Sequence, residues 1–105
     1  MCGINGIVAF NKDLISTLTI SSMNDLIIHR GPDEDGEFYS SEGQSSISMG
    51  IRRLSIIDLN TGNQPIYSDD RTKIIVFNGE IYNYQTLKDE LITQGCEFKT
   101  NSDTE

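Results

Sequence analysis

The chain has 105 residues with 8 Lys+Arg against 16 Asp+Glu, a formal net charge of −8. An acidic chain lacks the basic surface that phosphate backbones require, which argues against a nucleic-acid partner. With 36% hydrophobic and 23% charged residues the composition is that of a folded soluble chain, and no apolar run approaches the roughly 20 residues that span a bilayer.

The N-terminus, Met1-Cys2-Gly3-Ile4-Asn5-Gly6, has neither the basic leader nor the long apolar stretch of a secretion signal. The expected compartment is therefore the reducing cytoplasm, with Cys2 and Cys96 as free thiols. Two cysteines and one histidine cannot complete an ordinary Cys/His zinc site without a carboxylate, and no metal site is expected. Gly3 to Phe10, rich in Ile and Val, predicts a first strand, and Asn11-Lys12-Asp13 a turn. Ser21-Ser22 before Met23, Leu26 and Ile27 predicts a capped helix that Gly31-Pro32-Asp33 stops. Gly36 to Ser40 and Ser45 to Ile57 predict strands. In the second, Ile47, Met49 and Ile51 alternate with small or polar residues, which predicts one buried face. A loop over Asn60 to Pro65 leads to a short strand, Lys73 to Phe77. Tyr84 to Gln94 predicts a helix with Tyr84, Leu87, Leu91 and Ile92 on one stripe and Gly95 as its stop. Phe98-Lys99-Thr100 predicts the entry to another strand. The order β, α, several β, α, β indicates an α+β domain, and the open strand before Ser102-Asp103-Thr104-Glu105 suggests a truncated one.

Several residues could carry chemistry. Removal of Met1 would place a thiol and a free α-amine on Cys2. That amine titrates at about 7.7–8.0 and the thiol at about 8.5, so they form a self-contained base and nucleophile. Taken alone, Cys2 reads more readily as an ordinary second residue. Cys96, at a helix exit, reads as a half-buried packing cysteine. His29, the single histidine, is either a cation at a helix C-terminus or the partner of Cys2 in a thiol dyad, and the residues favour the former. Arg52-Arg53 in an apolar stretch is either a structural ion pair or a bidentate anchor for a carboxylate. Asn78-Gly79 between apolar runs is either a hairpin turn or a pair of donors forming an oxyanion hole. Glu80 and Asp103 are surface charges or partners of a cationic group.

Six blocks recur in order: Met-Cys-Gly-Ile-x-Gly at 1–6, His-Arg-Gly-Pro-Asp at 29–33, Arg-Leu-Ser-Ile-Ile-Asp at 53–58, Gln64-Pro65, Asn-Gly-Glu-Ile-Tyr-Asn at 78–83 and Ser-Asp-Thr-Glu at 102–105. Over the whole chain they closely resemble the N-terminal glutaminase domain of glutamine-hydrolysing asparagine synthetases, the class II, N-terminal-nucleophile branch of the glutamine amidotransferases. The resemblance implies an αββα sandwich, of which only the N-terminal part lies in residues 1–105. It implies that Cys2 attacks the side-chain amide of L-glutamine with its α-amine as base, releasing ammonia and then, through a γ-glutamyl thioester, glutamate. Asn78 and the Gly79 N–H would hold the oxyanion. Arg53 would take the substrate carboxylate, Glu80 and Asp103 its ammonium, and the main chain of Leu54, Ile56 and Ile57 would form the wall.

No cofactor is implied for this half-reaction. ATP and Mg would serve only a synthetase domain, whose Ser-Gly-Gly-x-Asp-Ser loop is absent from residues 1–105. The implied partner is that domain or another ammonia acceptor, and an uncovered apolar sheet face would promote self-association. With Met1 retained, the nitrogen of Cys2 is a peptide nitrogen and the base does not exist. Two other readings stand: a catalytically incompetent glutamine-binding or interaction module, and a class II amidotransferase serving an acceptor such as an amino sugar or phosphoribosyl pyrophosphate.

Overall fold

A computed structural model describes residues 2–11, 15–54 and 62–105. Strand β1 (Gly3–Ala9) leads to helix α1 (Thr17–Leu26) and a short 3-10 turn, Ile28–Arg30. Strands β2 (Glu34–Glu42) and β3 (Ser45–Arg53) follow, then β4 (Ile66–Tyr67), β5 (Ile74–Ile75) and helix α2 (Tyr84–Thr93). The first sheet is antiparallel in the order β1-β3-β2, and β4 and β5 form a small antiparallel pair. The mixed α/β architecture matches the sequence reading at this level. Among the described residues, no helix is long and apolar enough to cross a membrane.

β3 is the central strand, and its two faces have opposite characters. Gly3, Asn5, Ile7 and Ala9 of β1 stand opposite Arg52, Gly50, Ser48 and Ser46, so these residues share one face. α1 packs on that face. Ser46 and Ser48 are buried there, and a Cβ on Gly50 would lie 2.5 Å from Asn24 Oδ1 and 2.7 Å from Asn5 Oδ1. The helix therefore needs small residues beneath it. The alternation in β3 was expected to bury Ile47, Met49 and Ile51. Only Ile51 is fully buried, and Ile47 is exposed. The covered face at positions 46, 48 and 50 is instead the small one, because the helix seats closest where side chains are short. On the opposite face Ile4, Val8 and Ile47 remain exposed.

The helix starts earlier than its composition suggests. Its N-cap is Ser16, whose N–H donates to Thr19 Oγ1 at 3.2 Å, and Ser21-Ser22 lie inside it. Ile20 and Asn24, one turn apart, are its buried stripe, while Leu26 is exposed. Asn24 ties three strands together. Its Oδ1 accepts from Asn5 Nδ2 at 2.7 Å, its Nδ2 donates to the Gly36 carbonyl at 3.2 Å, and its own carbonyl accepts from Arg52 Nε at 3.2 Å.

The β4–β5 turn is built around Asp70. Its carboxylate is held below the usual range first by the Ser68 hydroxyl, then by the N–H and hydroxyl of Thr72. α2 ends as expected: Gly95, at φ 92°, donates to Ile92 O, and Cys96 N–H reaches back to Leu91 O. None of its residues is fully buried, and Leu87, Leu91 and Ile92 are exposed. Phe98 to Thr100 form no strand. That segment is instead gripped by Glu105, described below.

Replacing Asn24 with Ala is expected to destabilise the fold by about 1–3 kcal/mol, because it strands the buried amide of Asn5. The urea midpoint should fall with the slope unchanged. An unshifted midpoint would contradict this account of the helix–sheet contact.

Candidate active site

Cys2 sits one residue before β1 and is half-buried. The β1–β3 register ends at the pair Gly3 and Arg52, one residue short of both Cys2 and Arg53. The two adjacent arginines are separated by strand alternation. Arg52 points to the helix side, where it pairs with Asp25 at 3.0 Å and lies 3.8 Å from Asp35. Arg53 alternates to the opposite face and pairs with Glu34 at 2.8 Å, with 15% of its side chain exposed. Both take the ion-pair form, one of the two that the residues alone allowed.

The His29 to Asp33 block braces this corner. Arg30 Nη2 donates to the Cys2 carbonyl at 3.5 Å. Gly31 packs directly on the Arg53 main chain, where an added Cβ would lie 2.4 Å from Arg53 N. Asp33 N–H donates to Arg53 O at 3.2 Å. His29 is exposed on the 3-10 turn, in its basic last turn.

Asn78 reaches the same corner from the far end of the chain. Its Nδ2 donates to the Cys2 carbonyl at 3.0 Å across 76 positions. Asn78-Gly79 does not make the hairpin that its dipeptide suggests. The chain passes from β5 through an exposed loop into α2, with Tyr84 N–H on Ile81 O. Gly79 lies over the Phe77 ring, and Glu80 is exposed beside it. Asp103 is half-buried, and its Oδ2 accepts from Ile81 N–H at 2.8 Å. Leu54 is half-buried at the end of β3, whereas Ile56 and Ile57 lie outside the described residues.

The structure thus joins the Cys2 main chain directly to Asn78 and ties Asp103 to the loop that carries Asn78, Gly79 and Glu80, while Arg53 is engaged by Glu34. Two hollows lie elsewhere among the described residues. A cavity of about 690 Å³ lies between the β4–β5 pair, the end of α2 and the Cys96 to Phe98 segment. A smaller one of about 200 Å³ is lined by Ile81, Tyr84, Lys88 and Asp103. Neither is lined by Cys2, Arg53 or Asn78. Cys96, expected to be half-buried, is exposed at the rim of the larger one, because the left-handed Gly95 turns the chain away from the helix face.

The 99–105 segment is closed by one carboxylate. Partial burial opposes ionisation of Glu105, but hydrogen bonds from Lys99 N–H, from the Thr100 hydroxyl and from Thr100 N–H outweigh it and lower its pKa, with Lys88 adding a favourable charge. Beside it, the hydrogen bond and charge of Asp69 raise the pKa of Lys99.

Residues 1–105 match the family described as "Glutamine amidotransferase domain" from end to end. The chain belongs to this family. It is 46% identical to "Asparagine synthetase [glutamine-hydrolyzing] 1" of Bacillus subtilis, with all of the chain aligned to 16% of that protein. It is 44% identical to "Putative asparagine synthetase [glutamine-hydrolyzing] 2" of Methanocaldococcus jannaschii, covering 22% of it. It is 37% identical to "Asparagine synthetase B [glutamine-hydrolyzing]" of Escherichia coli, covering 18%. This amidotransferase chain therefore spans only about a fifth of the length of these relatives.

Sequence reasoning had not assigned a role to Arg30, Glu34 or Gln64. Arg30 and Gln64 stand in the family blocks, so position marked them. Glu34 is legible only once β2 is paired with β3.

The lowered pKa of Glu105 means that its contribution is present above the ordinary value of 4.5 and is lost as pH falls through the depressed folded value. Amide exchange at Lys99 and Thr100, corrected for its intrinsic pH dependence, should therefore accelerate as pH falls below 4.5. Glu105→Gln should remove that inflection. An inflection retained in the variant would refute the assignment.

Proposed function

We propose that this chain is the glutamine-hydrolysing part of an asparagine-synthetase-type amidotransferase, acting through Cys2 once Met1 is removed. The observation that carries the reading is the 3.0 Å bond from Asn78 Nδ2 to the Cys2 carbonyl. It supports the reading because it links the loop that carries Asn78 and Gly79 to the residue that bears the thiol.

The chemistry follows from the groups. The free α-amine of Cys2 takes the proton of Sγ, and Sγ bonds to the side-chain carbonyl carbon of glutamine. The carbonyl oxygen becomes an oxyanion between Asn78 Nδ2 and Gly79 N–H. An amide nitrogen carries two hydrogens, so one bond to the Cys2 carbonyl leaves the second for the oxyanion. The ammonium formed at Cys2 returns its proton to the leaving nitrogen, and ammonia departs. Water then attacks the γ-glutamyl thioester, giving glutamate and restoring the thiol. Arg53 has five N–H donors, so its bond to Glu34 leaves others for the substrate α-carboxylate. Glu80 and Asp103 supply negative charge for the α-ammonium, and the main chain at Leu54, Ile56 and Ile57 supplies the wall.

No cofactor enters these steps. ATP and Mg belong to the synthetase domain or other ammonia acceptor with which the chain acts, in the cytoplasm. In this reading the two sheets are parts of an N-terminal-nucleophile αββα sandwich, with α1 as one outer layer. The face bearing Ile4, Val8 and Ile47 is its inner face. Left uncovered, that face would favour self-association.

In the full-length parent protein, the form with Cys2 at the N-terminus is expected to hydrolyse glutamine. It should also be labelled by a glutamine-like electrophile such as diazo-oxo-norleucine. Blocking the amine by retaining Met1 should slow hydrolysis by about 10²–10⁴-fold, the usual worth of a general base, and Cys2→Ala should abolish labelling. Equal labelling of the two forms would show that the α-amine is not the base.

A further inference from the structure

Gln64 has no role in the reaction above, yet its side chain makes three hydrogen bonds that link the two halves of the site. Its Oε1 accepts from Phe77 N–H at 2.6 Å, and its Nε2 donates to Phe77 C=O at 3.1 Å. The second hydrogen of Nε2 goes to Thr104 Oγ1 at 3.3 Å. Phe77 immediately precedes Asn78, and Thr104 immediately follows Asp103. The amide orientation is unambiguous, because the Phe77 N–H needs an acceptor and the Phe77 carbonyl a donor, which fixes Oε1 on the first and Nε2 on the second.

The base of this clamp is equally constrained. The Gln64 carbonyl lies 1.8 Å from where a Cβ on Gly36 would stand, so its main chain rests directly on β2. Gly62 faces Ser102 across the same junction. A side chain anchored on the sheet therefore reaches both the segment of the oxyanion donors and the segment of the ammonium-binding carboxylate.

We propose that Gln64 is a positioning residue for glutamine hydrolysis, setting the separation between the Asn78-Gly79 donors and the Asp103 carboxylate. The inference rests on the amidotransferase reading. The two ends of one glutamine must be met at a fixed distance, and an error of about 1 Å in such a constellation costs about 100-fold in rate. Asp103 holds Ile81 N–H from the other side of the loop. The donor loop is thus tied to the 102–104 segment at two points, and only the Gln64 tie is also anchored on the sheet.

The test uses the full-length parent enzyme with Cys2 at its N-terminus. Gln64→Ala is expected to lower kcat for glutamine hydrolysis by about 100-fold and to raise KM about tenfold as the Asp103 contact loosens. Gln64→Glu keeps the shape, and so carries the test if the alanine variant fails to fold. Its carboxylate can accept from Phe77 N–H but repels Phe77 C=O, whereas the protonated acid donates to that carbonyl as the amide did. Its activity relative to the unsubstituted enzyme is therefore expected to rise as pH is lowered from about 8 to about 5.5. Its melting temperature should change little over that range. Unchanged kcat and KM in Gln64→Ala would overturn the proposal. So would a Gln64→Glu enzyme whose relative activity is flat with pH or only follows its melting temperature. Persistence of glutamine hydrolysis in Cys2→Ala would overturn the amidotransferase reading itself, and so marks a different failure.

Discussion

The buried amide of Asn24 is the contact on which the other parts depend. It lies under helix α1 at the one place where the central strand offers no side chain, over Gly50. Its hydrogen bonds run to β1 and β2, and its carbonyl holds the guanidinium of Arg52 on β3. A buried amide is costly unless satisfied, so the helix has one favourable seat rather than several similar ones. That seat fixes which face of β3 is covered. With Arg52 committed to the helix side, strand alternation commits Arg53 to the other. The polarity of the sheet follows from this contact.

The corner itself is assembled from segments far apart in the chain. Cys2 comes from the start of β1, Arg53 from the end of β3, and Asn78 from the loop before α2. None of them is held by local structure alone. The Arg30–Gly31–Asp33 block touches the main chain of Cys2 and Arg53, and Gln64 touches the flanks of Asn78 and Asp103. Cys2, Arg53, Asn78 and Asp103 thus each have a residue that holds their own or an adjacent backbone in place. The cavity of about 690 Å³ lies away from this corner, between the β4–β5 pair and the end of α2, where the apolar side chains of the second helix are only partly covered.

Most strands and both helices were legible because they rest on local patterns. β1, β3 and α2 carry the apolar periodicity and stop signals that set their extents. The start of α1 was misread, because Ser21-Ser22 resembles a cap while the residue that caps it, Ser16, is five positions earlier. The buried stripe was misread because it is built on Asn24, a polar residue whose burial is stabilised only by partners on three strands. Alternation in β3 was seen, but which face is covered depends on side-chain size beneath a helix, not on hydropathy. Asn78-Gly79 looked like a hairpin because that dipeptide suits one. Its contact with Cys2, 76 positions away, leaves no local trace. The site residues were reached through the resemblance of the ordered blocks, which is why Gln64 was noticed as a motif position before it had a physical role.

The antiparallel pairing of β2 with β3 closes through a two-residue turn at Gly43-Gln44, whereas β1 must find β3 across 49 positions, from Gly3 to Arg52. Loop closure makes the hairpin the early, inexpensive step and the docking of β1 the later one. The bond from Asn78 to Cys2 has a greater sequence separation still and lies in an exposed loop, so it belongs to the last structure to form and the first to open. The sheet can therefore persist while the contact between Asn78 and Cys2 is undone, so mild denaturant or heat should release that loop before the strands separate.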